Sequence, residues 1–338
     1  MNKENIAITI TGIDMSAAFD TISRSLLLDI LKGIIHTDEI RMIQFLLSNT
    51  AIYPKIQGAT NNKHFISNSG TPQGDCLNPI LFVIYLEHAL KSLRNSISKP
   101  NSQLGYILPP ELIYADDIDF VAPDFTNIDM TQVQDILIKF NLKVNTSKTE
   151  ITTLTRNSEE WKKSKKVGSL IGDIEDVERR KYLSNAALHK LTNIWIRGDK
   201  IKVKTKMKLY RALVKSILLY NCGTWALTKT QVEKLNAFHR QQLRRLLNIK
   251  YPTIITNKTL YSETNERPIS LDILEHRWRL FGHILRRDPE IPANKSMEAY
   301  FVRCGNPFKG RPLTTLPTVL HQDLQTLNKP LALKNPED

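Results

Sequence analysis

The chain has 338 residues, 41% hydrophobic and 24% charged, a balance that allows a sizeable core and roughly two domains of about 150 residues. No apolar run approaches the ~20 residues of a membrane span, and the first five residues lack a signal-peptide apolar region; three distant cysteines (Cys76, Cys222, Cys304) form neither a disulfide framework nor a CxxC half-site, so an intracellular protein, nuclear or cytoplasmic, is expected, with no membrane partner. The net charge of +13 is unevenly divided: residues 1–150 hold 12 basic and 16 acidic side chains and residues 151–338 hold 35 and 18, so the second part is expected to meet polyphosphate.

Residues 6–11 are β-branched or apolar on both sides and read as a buried strand running into Asp14. A helix follows, with Leu26, Leu27, Ile30 and Leu31 on one face and Asp20 or Ser23 as its N-cap. A second helix holds Ile40, Ile43, Phe45, Leu46 and Leu47. The polar stretch 57–68, with Gly58 and Asn61-Asn62, suggests a loop or hairpin. Residues 69–74 form a turn-rich loop leading into an apolar helix over 79–93 that carries Leu81, Ile84, Tyr85, His88 and Leu93. Leu112, Ile113 and Tyr114, then Ile118, Phe120 and Val121, predict a hairpin tipped by Asp116-Asp117. Residues 130–140 have helical spacing, 142–145 begin an irregular stretch, and 151–154 form a short strand.

Beyond residue 155 a Lys-rich segment (Lys162, Lys163, Lys165, Lys166) leads into 167–172. Helices are expected over 179–195, 205–220 and 270–287. Another is expected to open at the capping-box pattern Thr230-Gln231-Val232-Glu233 and to carry Leu235, Phe238, Leu243 and Leu246. The last thirty residues are Pro-rich and are expected to be loosely ordered. The fold class is α+β: an antiparallel sheet with packed helices, followed by an all-helical basic part.

An Asp-Asp turn alone is only an acceptable turn. Asp14 adds to it, because it ends a buried strand 102 residues before Asp116. If the two strands are neighbours, Asp14, Asp116 and Asp117 converge at one sheet edge. Such a set, with no His or Cys nearby in sequence, specifies Mg²⁺ or Mn²⁺. Two such ions about 3.5–4 Å apart serve phosphoryl transfer.

The motifs carry a resemblance. Residues 14–21 resemble motif A of reverse transcriptases, 70–75 with Leu77-Asn78-Pro79 resemble motif B, Tyr114-Ala115-Asp116-Asp117 resembles motif C, and 142–145 with Lys148, Thr149 and Glu150 resemble motif D. Residues 167–170 resemble the short hairpin that comes after motif D. Their order and spacing, with Phe19-Asp20 and Gln73-Gly74-Asp75, are similar to the non-LTR (LINE-type) branch, and 275–285 resemble the segment downstream of the polymerase in such elements.

The resemblance implies a polymerase palm over 1–155, a connecting hairpin and helical basic thumb over 156–250, and a C-terminal helical region with a Pro-rich tail over 251–338. Asp14, Asp116 and Asp117 would be the catalytic metal ligands. Phe19 would be a steric gate against a 2′-hydroxyl, Gln73 and Gly74 would contact nucleotide and template, and Lys148 would lie near the triphosphate. Lys200, Lys202, Lys204, Lys206 and Lys208 would grip the phosphates of an RNA template and DNA primer, and the substrates would be deoxynucleoside triphosphates. Each has a rival: Asp20 as a helix cap, Phe19 as core, Gln73-Gly74 as a plain turn, the lysines as a solvated face. His276 and His283, seven apart, would need partners to bind zinc.

Related polymerases carry a fingers region upstream of motif A, and non-LTR elements often carry an endonuclease. The chain is therefore expected to be the palm, thumb and tail of a retrotransposon polyprotein without its front. The expected reaction is RNA-directed DNA synthesis; the alternatives are a catalytically inactive nucleic-acid-binding remnant and a two-metal nuclease.

Overall fold

The computed structural model describes residues 7–48, 50–53, 55–56, 59–60, 64–71, 76–96, 111–123, 129–155, 158–196, 201–303 and 314–326. The chain divides into two compact units, residues 1–158 and 159–338.

The first unit contains, in order, β1 (Ile8–Ile13), β2 (Met15–Ser16), α1 (Ala18–Thr21), α2 (Arg24–Leu31), α3 (Thr37–Leu47), β3 (Thr50–Ile52), β4 (Lys55–Ile56), β5 (Ala59–Thr60), β6 (Phe65–Ser67), α4 (Asn78–Ser96), β7 (Glu111–Tyr114), β8 (Asp117–Pro123), α5 (Met130–Ile138), β9 (Lys143–Val144) and β10 (Glu150–Leu154). Among the described residues its main sheet is antiparallel, in the order β10-β1-β8-β7. β1 lies between two partners, which is why Thr9 and Thr11 are buried along with Ile8 and Ile13. Side chains alternate across a strand, so Ile13, Ile118 and Phe120 share the face covered by α4 and α5. There they join Leu81, Phe82, Tyr85, Leu86, Val133 and Leu137 in one core.

Around the stretch 57–68, expected as a loop or hairpin, β3 pairs with β6 and β4 with β5. α3 buries Ile40 and Leu47, whereas Phe45 (78% exposed) and Leu46 (56%) face solvent. His36 caps α3: its ring accepts from Asp38 N–H and its own N–H donates to Glu39 Oε2 at 2.9 Å. Ser23, not Asp20, caps α2, accepting from Leu26 N–H at 3.4 Å; Asp20 lies inside α1.

The second unit opens with a 3₁₀ turn (Glu160–Lys163) and the hairpin β11 (Lys165–Lys166) and β12 (Ser169–Leu170), as expected around residues 167–170. Val167 and Gly168 form its turn, both with positive φ (45° and 78°), and the glycine relieves one of the two left-handed positions. Helices follow: α6 (Asp173–Lys190), α7 (Thr192–Ile196), α8 (Val203–Tyr210), α9 (Ser216–Leu218), α10 (Lys229–Leu246), α11 (Asn257–Thr264), α12 (Ile269–Leu285), α13 (Pro292–Arg303) and α14 (Leu316–Thr326). Arg211–Lys215 is one wide π-turn between α8 and α9.

The capping box of α10 lies two residues before the expected one. Thr228 accepts from Gln231 N–H, and Gln231 Oε1 accepts from Thr228 N–H at 2.8 Å. The register follows Thr228 because it has extended backbone (φ −71°, ψ 158°), whereas Thr230 is already helical. Within the last thirty residues, expected to be loosely ordered, residues 316–326 instead form α14, which buries Val319 and Leu320, and Asp323 accepts from Arg277 of α12 at 2.7 Å. Two cores hold the unit. One joins Val177, Leu218, Trp225, Leu235, Ile269 and Ile273; the other joins Leu188, Met207, Tyr210, Val214, Leu243 and Leu260. The first draws residues from both sides of position 250.

Candidate active site

The antiparallel ladder between β1 and β8 pairs Gly12 with Asp119 and Ile13 with Ile118. Continued by one residue, it sets Asp14 opposite Asp117. The β7–β8 ladder closes with Tyr114 paired to Asp117, so the hairpin tip is Ala115-Asp116 rather than Asp116-Asp117. Ala115 takes the left-handed position (φ 54°), leaving Asp117 as the first residue of β8. Asp14 and Asp116 are half-buried and Asp117 is exposed.

Asp14 is held from the opposite side by the segment after α5. Met15 pairs with Val144 and Ser16 with Lys143, and Asn145 N–H donates to Asp14 O at 2.8 Å. A turn comes next, in which Lys148 and Thr149 N–H both donate to Asn145 O at 3.1 Å. That turn brings Lys148 Nζ to 3.5 Å from Asp14 Oδ2.

Phe19 stacks on Phe82 with ring centroids 4.1 Å apart and packs against the core of the first unit. Its carbonyl accepts from Thr71 N–H at 2.8 Å, and Ile22 O accepts from Gly70 N–H at 2.9 Å, so the chain entering residues 72–75 runs against α1. Gly70 is required there twice over: its φ is +70°, and a Cβ would stand 2.6 Å from Asp20 Cα and O. Gln73 and Gly74 themselves lie outside the described residues. Arg24 was not foreseen from sequence, where it is one arginine after a capping serine. Its guanidinium donates to the carbonyls of Leu47, Ser67, Ser69 and Gly70, tying α3, β6 and this loop together.

Residues 1–185 match a family described as reverse transcriptase (RNA-dependent DNA polymerase). The chain belongs to the reverse transcriptase family. The match takes in the whole first unit, the β11–β12 hairpin and most of α6. Solved structures similar to this chain include telomerase from Candida tropicalis in complex with a TWJ fragment of telomeric RNA, at 14% identity and TM-score 0.38, covering 88% of this chain and 50% of that one. Telomerase from Candida albicans with the same kind of RNA fragment matches at 12% identity and TM-score 0.33, covering 89% and 50%. The chain thus spans about half the length of both. No curated protein matches it.

Reverse transcriptases as a family copy RNA into DNA and use divalent metal ions. The donor chemistry here fits such an ion, because three carboxylates reach one sheet edge. The side chains themselves do not close into a ready cluster: among the described residues, no three His, Cys, Asp or Glu side chains stand together as a metal-holding group. His276 and His283, both exposed, gain no third ligand among the described residues, and Cys304 lies outside them.

The five alternate lysines do not share a face, because a helix brings together residues three or four apart, not two. Lys202 precedes α8, Lys204 and Lys208 are exposed one turn apart on it, Lys206 is buried at 9% exposure, and Lys200 lies outside the described residues. The hairpin β11–β12 is anchored by Asp176 of α6. Its carboxylate accepts from Leu170 N–H at 2.9 Å and Trp225 Nε1–H at 3.1 Å, and lies 3.5 Å from Arg180 Nε. Among the described residues no helix is long and apolar enough to cross a membrane.

Proposed function

We propose that this reverse transcriptase is of the non-LTR retrotransposon type and extends a DNA primer on an RNA template, adding nucleotides from deoxynucleoside triphosphates. The observation that carries the reading is the β1–β8 register, which sets Asp14 opposite Asp117 and beside the turn residue Asp116. The retrotransposon branch is supported by Phe19-Asp20 after Asp14 and by Gln73-Gly74-Asp75 before α4.

Asp14, Asp116 and Asp117 would hold Mg²⁺ or Mn²⁺, which when bound supplies charge neutralisation for the triphosphate and activation of the primer 3′-hydroxyl. Lys148 holds the Asp14 carboxylate through its ammonium and is released to the phosphates when nucleotide arrives. Phe19, backed by Phe82, bars a 2′-hydroxyl from the sugar position. Gln73 and Gly74 would contact the nucleotide and template, as the resemblance implies. Residues 1–155 are the palm, 156–250 the thumb and 251–338 a C-terminal helical region. Lys202, Lys204 and Lys208 meet backbone phosphates without reading sequence.

A second reading, binding without turnover, is favoured by one observation: the Asp14 carboxylate is paired with the Lys148 ammonium at 3.5 Å. Incubating the purified chain with poly(rA)/oligo(dT), dTTP and Mg²⁺ or Mn²⁺ separates the two. Polymerisation predicts incorporation that falls to background in Asp116→Ala while duplex binding persists. Salt-sensitive duplex binding with no incorporation by the wild-type chain refutes the polymerase and supports the second reading.

A further inference from the structure

α12 has two faces. Ile269, Ile273, Arg277 and Phe281 recur at helical spacing and are buried within the second unit. On the outer face runs a shallow groove of about 580 Å³, within the ~300–1,000 Å³ range of ligand sites. Its floor is Leu271, Leu274 and Trp278, and its rim is Arg267, Arg279 and Arg286, with Glu275 between them. The Trp278 indole is set edge-on against Phe281, with ring centroids 5.6 Å apart, which fixes its plane.

The charges around this floor are arranged unequally. The Glu275 carboxylate accepts from both Arg267 and Arg279, so the one acidic group of the groove is already neutralised. Arg286 makes no ion pair among the described residues. Its Nη1 lies 3.0 Å from where a Cβ of Gly282 would stand, so the glycine lets the guanidinium fold back along the helix, one turn from Trp278. An aromatic floor under a cationic rim matches a base and its phosphate, because every base has a π-face and arginine pairs with phosphate oxygens. An apolar floor alone would suit a protein partner, but the surplus of arginine, in the basic part of a nucleic-acid polymerase family member, favours a polyanion.

We propose that this groove binds single-stranded nucleic acid, with one base stacked on Trp278 and the adjoining phosphate held by Arg286. The groove is lined by residues other than the α8 lysines and the three carboxylates, and its occupancy does not require nucleotide incorporation.

The test uses the full chain and fluorescein-labelled oligo(rU) and oligo(dT) of about 20 nucleotides, read by anisotropy and by intrinsic tryptophan fluorescence. Wild-type protein is expected to bind both with quenching of tryptophan emission. Trp278→Ala and Arg286→Glu are each expected to weaken binding about tenfold or more, as a lost base stack or phosphate contact predicts. Arg286 is exposed, so Arg286→Glu keeps its thermal melt and tests the site even if Trp278→Ala fails to fold. Affinities of both variants within about twofold of wild type overturn the proposal. So does a wild-type chain that self-associates in light scattering while both variants are monomeric with unchanged oligonucleotide affinity, since the groove would then be a protein interface.

Discussion

His239 lies in the second unit with no solvent exposure, and among the described residues neither ring nitrogen has a hydrogen-bond partner. It stacks on Tyr210, and its Nε2 is 4.0 Å from Glu266 Oε2. Glu266 and Asp272 are both engaged by Lys215, at 2.6 and 2.8 Å. Burial, and then the Lys215 charge, push the imidazole down to about 4, against the pull of Glu266 and Asp272. The unfolded chain therefore takes up a proton that the folded chain refuses. Stability from this group is full above about 6.5, falls as pH drops, and is lost through about 4. Its size is on the order of 3 kcal/mol. Urea unfolding at stepped pH is expected to show this decline for wild type and a shallower one for His239→Gln. Equal slopes for the two proteins would assign the pH dependence elsewhere. Gly70 offers a second test at this scale. Gly70→Ala adds a Cβ 2.6 Å from the Asp20 backbone at a φ of +70°. The left-handed backbone costs roughly 1–2 kcal/mol and the overpacking a further ~1–3 kcal/mol, read as a lower urea midpoint. A midpoint unchanged from wild type would show that the loop leaves α1 freely.

At the level of elements, the hairpin β11–β12 and helix α6 are joined through Asp176, which is 1% exposed and holds Leu170, Trp225 and Arg180 together. Asp176→Ala removes the acceptor of a buried indole N–H and the counter-charge of the buried Arg180, whose guanidinium keeps its bonds to Gly168 O and Ser169 Oγ, at a cost of about 3–5 kcal/mol. Hydrogen exchange at Leu170 N–H is expected to speed up to the rate of the exposed hairpin turn; continued protection there would mean that the ladder alone holds the hairpin. The elements also show where local patterns suffice. Apolar spacing located α4, α5 and α12, because a helix with one buried stripe writes a 3.6-residue period into the chain. Thr228-Gln231 and Thr230-Glu233 are both three-residue pairs of capping type, and only the extended backbone at Thr228 selects the first. α14 was hidden by prolines around it, since its burial depends on α12, more than thirty residues upstream.

For the molecule as a whole, charge is the property that acts at a distance. Residues 151–338 hold 35 basic and 18 acidic side chains, so duplex binding is expected to release counterions. If Lys204 and Lys208 each neutralise one phosphate, Lys204→Ala/Lys208→Ala lowers the slope of log K against log salt by about 1.8. A slope equal to that of wild type would remove α8 from the phosphate surface. Lys206 is expected to contribute nothing to that slope, because it is buried.

The chain of motifs from Asp14 through Lys148, the strand leading into Asp14 and the hairpin at Asp116 are local matters of residue type and spacing, and the amino-acid sequence by itself determined them. It also determined the family, because four ordered motifs between Asp14 and Glu150 are legible without any knowledge of contacts, and the family match over residues 1–185 agrees. Only the tertiary structure decided that Ala115-Asp116 is the hairpin tip, that Asp14 faces Asp117, that Lys148 folds onto Asp14, that Arg24 gathers four carbonyls, and that Lys206 turns inward. Each of these depends on which distant strand or helix supplies the partner. A one-residue change of register would send every side chain of a strand to its other face, and local sequence carries no record of that choice.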